Sequence, residues 1–276
     1  MSFVSPTSIL ATGRIGSHLE GHRGMLKTLA AAQRSQSLVV DAGGMFGPTG
    51  YNRLGRGEVE RLILAQLYDL VLPAGPGFSH YLNDPALLEK CVCTNLTRPD
   101  GSDLVRPSAT ARVAGMQTVV LGVIGREAFD AIPAADRGQA VWHPPAQVIH
   151  RHARRAHGSR RTEVIVLSYC KAQETTDIAW ACRGVVSALV SALDHPGPGT
   201  TSSLEGVTVV SAGANAAGYS QLRPLGARWE AVTHPFPSDA RGRPPARLAD
   251  LHLRIDVMTD ALKAEDRRRS AVRAHP

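Results

Sequence analysis

An α/β fold built in layers is what this sequence predicts, and three observations predict it. Short aliphatic runs recur along the chain, as in Ser37–Asp41 (SLVVD), Glu163–Ser168 (EVIVLS) and Val207–Ser211 (VTVVS), and they read as buried strands. Stretches between them place apolar residues at helical intervals, most clearly Glu58–Leu67 (EVERLILAQL). Several runs stop at a breaker cluster such as Ala42-Gly43-Gly44 or Ala74-Gly75-Pro76-Gly77. Strands alternating with helices pack as helix-covered sheets, and ligands of such folds collect where strands run out at their carboxyl ends. The turns are therefore where function is sought.

In chain order, Ser8–Ala11 is the first strand, and it runs into a glycine-rich turn carrying Arg14, Gly16 and His18. Gly24–Gln33 (GMLKTLAAAQ) combines helical spacing with strong helix formers. The strand Ser37–Asp41 follows, then a loop rich in glycine and proline to Gly57, the helix Glu58–Leu67 and a strand at Leu70–Pro73. Asn83–Lys90 is expected as a short helix capped by Asn83 or Asp84, and Cys91–Leu96 as a strand. Ala109–Val113 and Thr118–Ile124 read as a hairpin around Gly115.

The second half repeats the plan with longer connections. Pro145–His157 is expected to be helical, Glu163–Ser168 a strand, and Thr176–Leu193, rich in alanine and valine, a helix. A loop over His195–Ser203 leads to the strand Val207–Ser211. The alternation in DLHLRID predicts a last strand at Asp250–Asp256, and residues 257–276 are expected as a basic C-terminal helix or tail.

Composition narrows the function classes. With 276 residues, 43% hydrophobic and 20% charged, the chain can bury a sizeable core. No window approaches the roughly 20 apolar residues of a membrane helix, and MSFVSPTSIL lacks the basic start and long apolar core of a signal peptide. A cytoplasmic protein with no membrane partner is the expectation. Cys91, Cys93, Cys170 and Cys182 are too unevenly placed for a disulfide framework. The net charge of +7 gathers in His150–Arg161 and Arg267–Arg273, and aromatics make up only 5% of the chain. That pattern reads as a solvated helix face and a basic tail, not as a nucleic-acid surface.

The turns, set side by side, carry a resemblance. ILATGRIGSHLE, VVDAGGMFGPTG, PAGPGFSHYL, CVCTNL, VVLGVIG, VIVLSYC and VVSAGANA, in that order, resemble the successive strand-end motifs of the calcineurin-like metallophosphatases, and most nearly the 5'-nucleotidase and UDP-sugar hydrolase branch. The likeness covers Ser8 to about Asp256 and rests on framework residues including Leu10, Thr12, Glu20, Asp41, Ala42, Gly43, Phe46, Phe78, Asn95 and Ser168. It implies one four-layer α/β/β/α sandwich domain, with two packed sheets flanked by helices.

The departures from the family pattern bear on function. Where the resemblance calls for an Asp-x-His pair, the chain has Arg14 and Gly16, and the bridging aspartate after Ala-Gly is Gly44. The Gly-Asn-His-Glu motif falls at Gly75-Pro76, the Ser-His strand end at Ser168-Tyr169, and the final Gly-His-x-His at Gly213 and Asn215. A pair of divalent ions that activates a bridging water needs carboxylate and imidazole ligands, which glycine and proline do not supply, and Arg14 would repel a cation. No metal and no cofactor is therefore expected.

What replaces the metals reads in two ways. In one, the fold persists as a non-catalytic interaction or scaffold protein, meeting a protein partner or a second copy through its basic segments. In the other, Gly16, Gly44, Gly75 and Gly213 open a cleft lined by backbone amides, and Arg14 with His18, Asn95 and Asn215 holds a small anionic or nucleoside-like metabolite. Tyr169 is then a proton donor, or a side chain that fills the vacated metal space. Cys170 and Cys93 are candidate nucleophiles if their thiols are activated, and otherwise small core residues. The aromatic C-terminal domain with which secreted 5'-nucleotidases recognise the base has no counterpart in the motifs, so nucleotide recognition is not carried over.

Overall fold

The computed structural model describes residues 5–157, 162–193, 201–226, 228–238 and 245–273, with side chains to 270 in the last stretch. The expectations for residues 158–161, 195–200 and 274–276 lie outside the described residues. The first half runs β1 (Ser8–Thr12), α1 (His22–Arg34), β2 (Ser37–Asp41), α2 (Gly50–Gly55), α3 (Glu58–Leu67), β3 (Leu70–Val71), α4 (Phe78–Asn83), α5 (Pro85–Leu88), β4 (Leu96–Thr97), β5 (Ser108–Val113) and β6 (Met116–Ile124). It continues through α6 (Arg126–Asp130), α7 (Ala134–Arg137), β7 (Val141–Trp142), α8 (Pro145–His157), β8 (Thr162–Tyr169), α9 (Ala172–Ala181) and β9 (Ala188–Ser191). The last part is β10 (Thr201–Leu204), β11 (Val207–Ser211), β12 (Gly218–Leu225), β13 (Arg228–Pro235) and α10 (Ala249–Arg273).

Two mixed sheets result. The first has the order β13-β12-β1-β2-β3 and the second β10-β11-β9-β8-β6-β5, while β4 and β7 form a small separate pair. Strands β1, β2 and β3 are parallel, as are β11, β9, β8 and β6; β12 and β13 continue the first sheet antiparallel beyond β1, β10 and β5 close both edges of the second sheet antiparallel, and β3 is a parallel edge. Side-chain alternation sorts the second sheet's residues between two cores. Val120, Ile124, Ile165, Leu167 and Val190 belong to one buried cluster with Ile9, Val39 and Val40, residues from both faces of the first sheet. Val119, Leu121, Val123, Val164 and Val166 face the other way, against Val148 and Ile149 of α8 and Ile178 of α9. With α1, α3 and α10 on the remaining side, the layers are those of an α/β/β/α sandwich. No described helix is long and apolar enough to cross a membrane.

Three expected elements differ. The helix expected over Thr176–Leu193 is α9, which ends at Ala181, followed by the strand β9. Gly184 takes a φ of +77° just before β9, and the β-branched run beyond it extends as sheet. The strand expected at Asp250–Asp256 is the beginning of α10. Leu251 and Ile255 are buried while Leu253 is 62% exposed, so the apolar positions that count lie four apart, not two. The strand expected at Cys91–Leu96 shrinks to β4, preceded by single bridges at Cys91 and Val92. The hairpin β12–β13, which has no counterpart among the expected elements, pairs eight residues on each side.

Helix α10 ties the first layer together. Arg254 pairs with Glu58 of α3, Tyr51 Oη and Thr259 Oγ1 lie 2.9 Å apart, and Arg23 of α1 reaches Asp256 at 2.8 Å. Exposed pairs of this kind contribute at most about 1 kcal/mol each. The burial of Leu248, Leu251 and Ile255 holds the helix more firmly.

Candidate functional site

The strand-end turns of the first sheet are bound to one another by their backbones. Arg14 N–H donates to Gly43 O (2.7 Å), Gly16 N–H to Gly44 O (2.8 Å) and Ser17 N–H to Met45 O (2.7 Å). Gly44 N–H donates to Ala74 O (3.1 Å), and Asn215 N–H to Arg14 O (2.8 Å). These bonds continue the sheet past its strand ends. They also correct one expectation: the amides of Gly16 and Gly44 are used inside the scaffold, and Gly213 N–H points to Ser211 Oγ (3.4 Å), so these three glycines do not form an anion cradle. Arg14 takes a left-handed φ of +46°, an uncommon conformation for a side-chain-bearing residue.

Tyr169, the last residue of β8, occupies the space that the glycines leave. A Cβ on Gly44 would stand 2.8 Å from its Cε2 and 3.1 Å from its Oη, and a Cβ on Gly75 would stand 2.7 Å from the same oxygen. Gly44 and Gly75 also have φ of +78° and +82°. The glycines and the tyrosine are thus parts of one packing solution, in which the ring takes the volume that longer side chains would need. Burial pushes the Tyr169 phenol up to about 12, with Arg14 acting in the opposite direction and Asp41 in the same one. It stays protonated at neutral pH and can donate a hydrogen bond.

Above Tyr169 lies a cleft of about 560 Å³, within the usual range for small-molecule sites. Arg14, Gly16, His18, Gly44, Gly75, Tyr169 and Asn215 all line it, so the structure brings together seven of the candidate residues. Neither the Arg14 side chain nor Tyr169 Oη has a hydrogen-bond or ion-pair partner among the described residues. The rest of the lining was not among the candidate residues. Phe46, Pro48 and Pro76 come from the turns, Ala128, Ala131 and Ile132 from the region of α6, and Lys171, ion-paired with Glu127, stands at the rim. A lysine two residues past the Tyr169 strand end was the one signal available.

The other candidates sit outside this lining. Cys93 and Cys170 are fully buried, and burial raises both thiols, Cys93 to about 12 and Cys170 further, so neither is a thiolate at neutral pH. Asn95 is buried as a structural bracket. Its Nδ2 donates to Ile124 O (2.8 Å) and His143 O (3.0 Å), and its Oδ1 accepts from Ile124 N–H (3.0 Å). Asn95→Ala is therefore expected to cost about 3 kcal/mol in urea unfolding, because two carbonyls and an amide lose their partner in the interior.

Asp41, a framework residue of the resemblance, is also a buried titratable group. It is fully buried at the end of β2, Thr12 Oγ1 donates to its Oδ1 (3.2 Å), and Tyr68 Oη lies 2.8 Å from Thr12 Oγ1. Its Oδ2 has no partner among the described residues. Burial raises this carboxyl to about 7, against the pull of the Thr12 and Gly43 hydrogen bonds.

The donors around the cleft do not fit a dinuclear metal centre. The positions that the resemblance assigns to ligands carry arginine, glycine, tyrosine and a single asparagine, and the Tyr169 ring fills the volume between them. Among the described residues, no group of three His, Cys, Asp or Glu side chains is placed to hold a metal ion.

No family model and no curated protein matches the chain. Solved structures do match in fold. A 5'-nucleotidase precursor from Thermus thermophilus is similar over 94% of this chain and 59% of its own length, with 19% identity and a TM-score of 0.67. A putative 5'-nucleotidase from Staphylococcus aureus covers 92% of this chain and 58% of its own, with 12% identity and a TM-score of 0.69. A calcineurin-like phosphoesterase from Bacillus subtilis covers 94% of this chain and 99% of its own, with 12% identity and a TM-score of 0.63. The chain thus has the metallophosphatase, 5'-nucleotidase-like fold, and it spans less than two thirds of the two nucleotidases.

Proposed function

We propose that this protein uses the metallophosphatase fold without its dinuclear centre, as a binder or metal-independent enzyme for a small anionic metabolite held in the Arg14–Tyr169 cleft. The observation that carries this reading is the meeting of two donors without a protein partner among the described residues, a guanidinium and a protonated phenol, in one concave site. An arginine without a partner at the mouth of a buried tyrosine has no structural task that the scaffold requires, since the turn is held by backbone bonds. An anion satisfies both groups at once. Two of the structures similar in fold carry the name 5'-nucleotidase; here the side chains at the strand ends support binding, and no hydrolytic step is assigned to them.

The test removes the charge and keeps the stem. In isothermal titration of small organic anions, Arg14→Met is expected to bind about 10- to 100-fold more weakly than the parent, the effect of losing a charge-assisted contact of about 1.5–3 kcal/mol. Equal affinity in parent and variant would remove the anion site.

A further inference from the structure

The charges and walls of the cleft define a ligand class more narrowly than "anion". Among the described lining residues Arg14 is the one cation without a counter-ion, because Lys171 is neutralised by Glu127. His18 stands beside Glu20, with Nδ1 3.9 Å from its Oε2. Tyr169 Oη offers a donor but no charge. The cleft therefore matches one negative charge and leaves a second one uncompensated. Behind Tyr169, the buried Asp41 carboxyl adds to the penalty for a dianion, since its influence reaches the phenol. A guanidinium fork beside a single hydroxyl donor also suits the two oxygens of a planar carboxylate. The lining also includes Phe46, Ala128, Ala131 and Ile132, apolar side chains that suit an apolar body better than a polar one.

We infer that the cleft is selective for a monocarboxylate carried on an apolar or aromatic body, and that it discriminates against phosphate esters, the substrates for which this fold's dinuclear centre is built. The inference rests on the anion-site reading above. It goes beyond that reading by reversing the ligand class expected from the fold.

Matched probes separate the two. Phenylacetate and phenyl phosphate share a ring and differ in head group; acetate and inorganic phosphate lack the ring. In calorimetric titrations at pH 8, where the phosphate ester is a dianion, phenylacetate is expected to bind at least fivefold more tightly than phenyl phosphate. It should also bind at least fivefold more tightly than acetate, and Arg14→Met should weaken it at least tenfold. Phenyl phosphate binding as tightly as phenylacetate, and still depending on Arg14, would overturn the carboxylate inference while leaving the anion site in place. Acetate binding as tightly as phenylacetate would overturn the role of the apolar side chains. Binding of every probe that is indifferent to Arg14→Met, or no binding up to millimolar concentration, would remove the site itself. Circular dichroism melts of the variant establish that it is folded in each comparison.

Discussion

The Gly44→Asp variant, which restores the side chain that the metallophosphatase pattern has at this position, is expected to lose about 3–5 kcal/mol of stability and to gain no metal site. Two costs add. Gly44 sits at φ +78°, where a side chain adds about 1 kcal/mol of strain even for the tolerant aspartate. The new Cβ would also stand 2.8 Å from the Tyr169 ring and 3.1 Å from the Arg14 backbone, and neither can yield freely, because Tyr169 is only 7% exposed and the Arg14 turn is held by its bond to Gly43. Tyr169→Ala alone should cost about 3–5 kcal/mol through the cavity it leaves. The decisive measurement is the double variant. If the ring is the obstacle, Gly44→Asp costs less once the ring is gone, and the cycle shows a coupling of about 1 kcal/mol or more in urea unfolding. Strict additivity would mean that Tyr169 does not fill the place of the lost ligands.

How much of this was legible in the sequence follows from the range of the interactions concerned. The parallel strands β1, β2, β8 and β11 were readable because burial on both faces writes an uninterrupted aliphatic run. Segment 250–256 was misread because Leu251, Leu253 and Ile255 satisfy a two-residue period locally, and only packing against α1 and α3 selects Leu251 and Ile255 as the buried set. Among site residues, Arg14, Gly44, Gly75, Tyr169 and Asn215 were found together because each stands at or just past a strand end of the same fold. The wall from α6 was not found, since Ala128, Ala131 and Ile132 have no chemistry to mark them. The amide cradle failed for a related reason. Whether a turn's N–H faces a ligand or a neighbouring turn depends on how closely β1, β2 and β3 bring their ends together, and that is a property of the sheet.

Asp41→Asn is expected to change sign with pH, from equal or lower stability than the parent at pH 4 to a gain of about 1–3 kcal/mol at pH 8. The native carboxyl titrates at about 7 in place of its ordinary 3.8, with burial as the main cause. Between those values the folded state binds more protons than the unfolded one, so stability falls as pH rises through that window and stays reduced above it. At about 1.4 kcal/mol per tenfold change, the loss at pH 8 is on the order of 4 kcal/mol. Asparagine keeps the acceptor for Thr12 and removes the charge, but its amide would stand where Oδ2 has no partner, which returns about 1–3 kcal/mol of the gain. Near pH 4 the folded carboxyl is neutral and the unfolded one about half ionised, so little of the charge penalty is left and that unfavourable amide dominates. Urea unfolding of parent and variant at pH 4, 6 and 8 reads the difference directly. The buried His22 and His252, both held below their ordinary range by burial, titrate in both proteins and cancel. A difference that is constant across the three pH values would show that Asp41 ionises as an ordinary carboxylate.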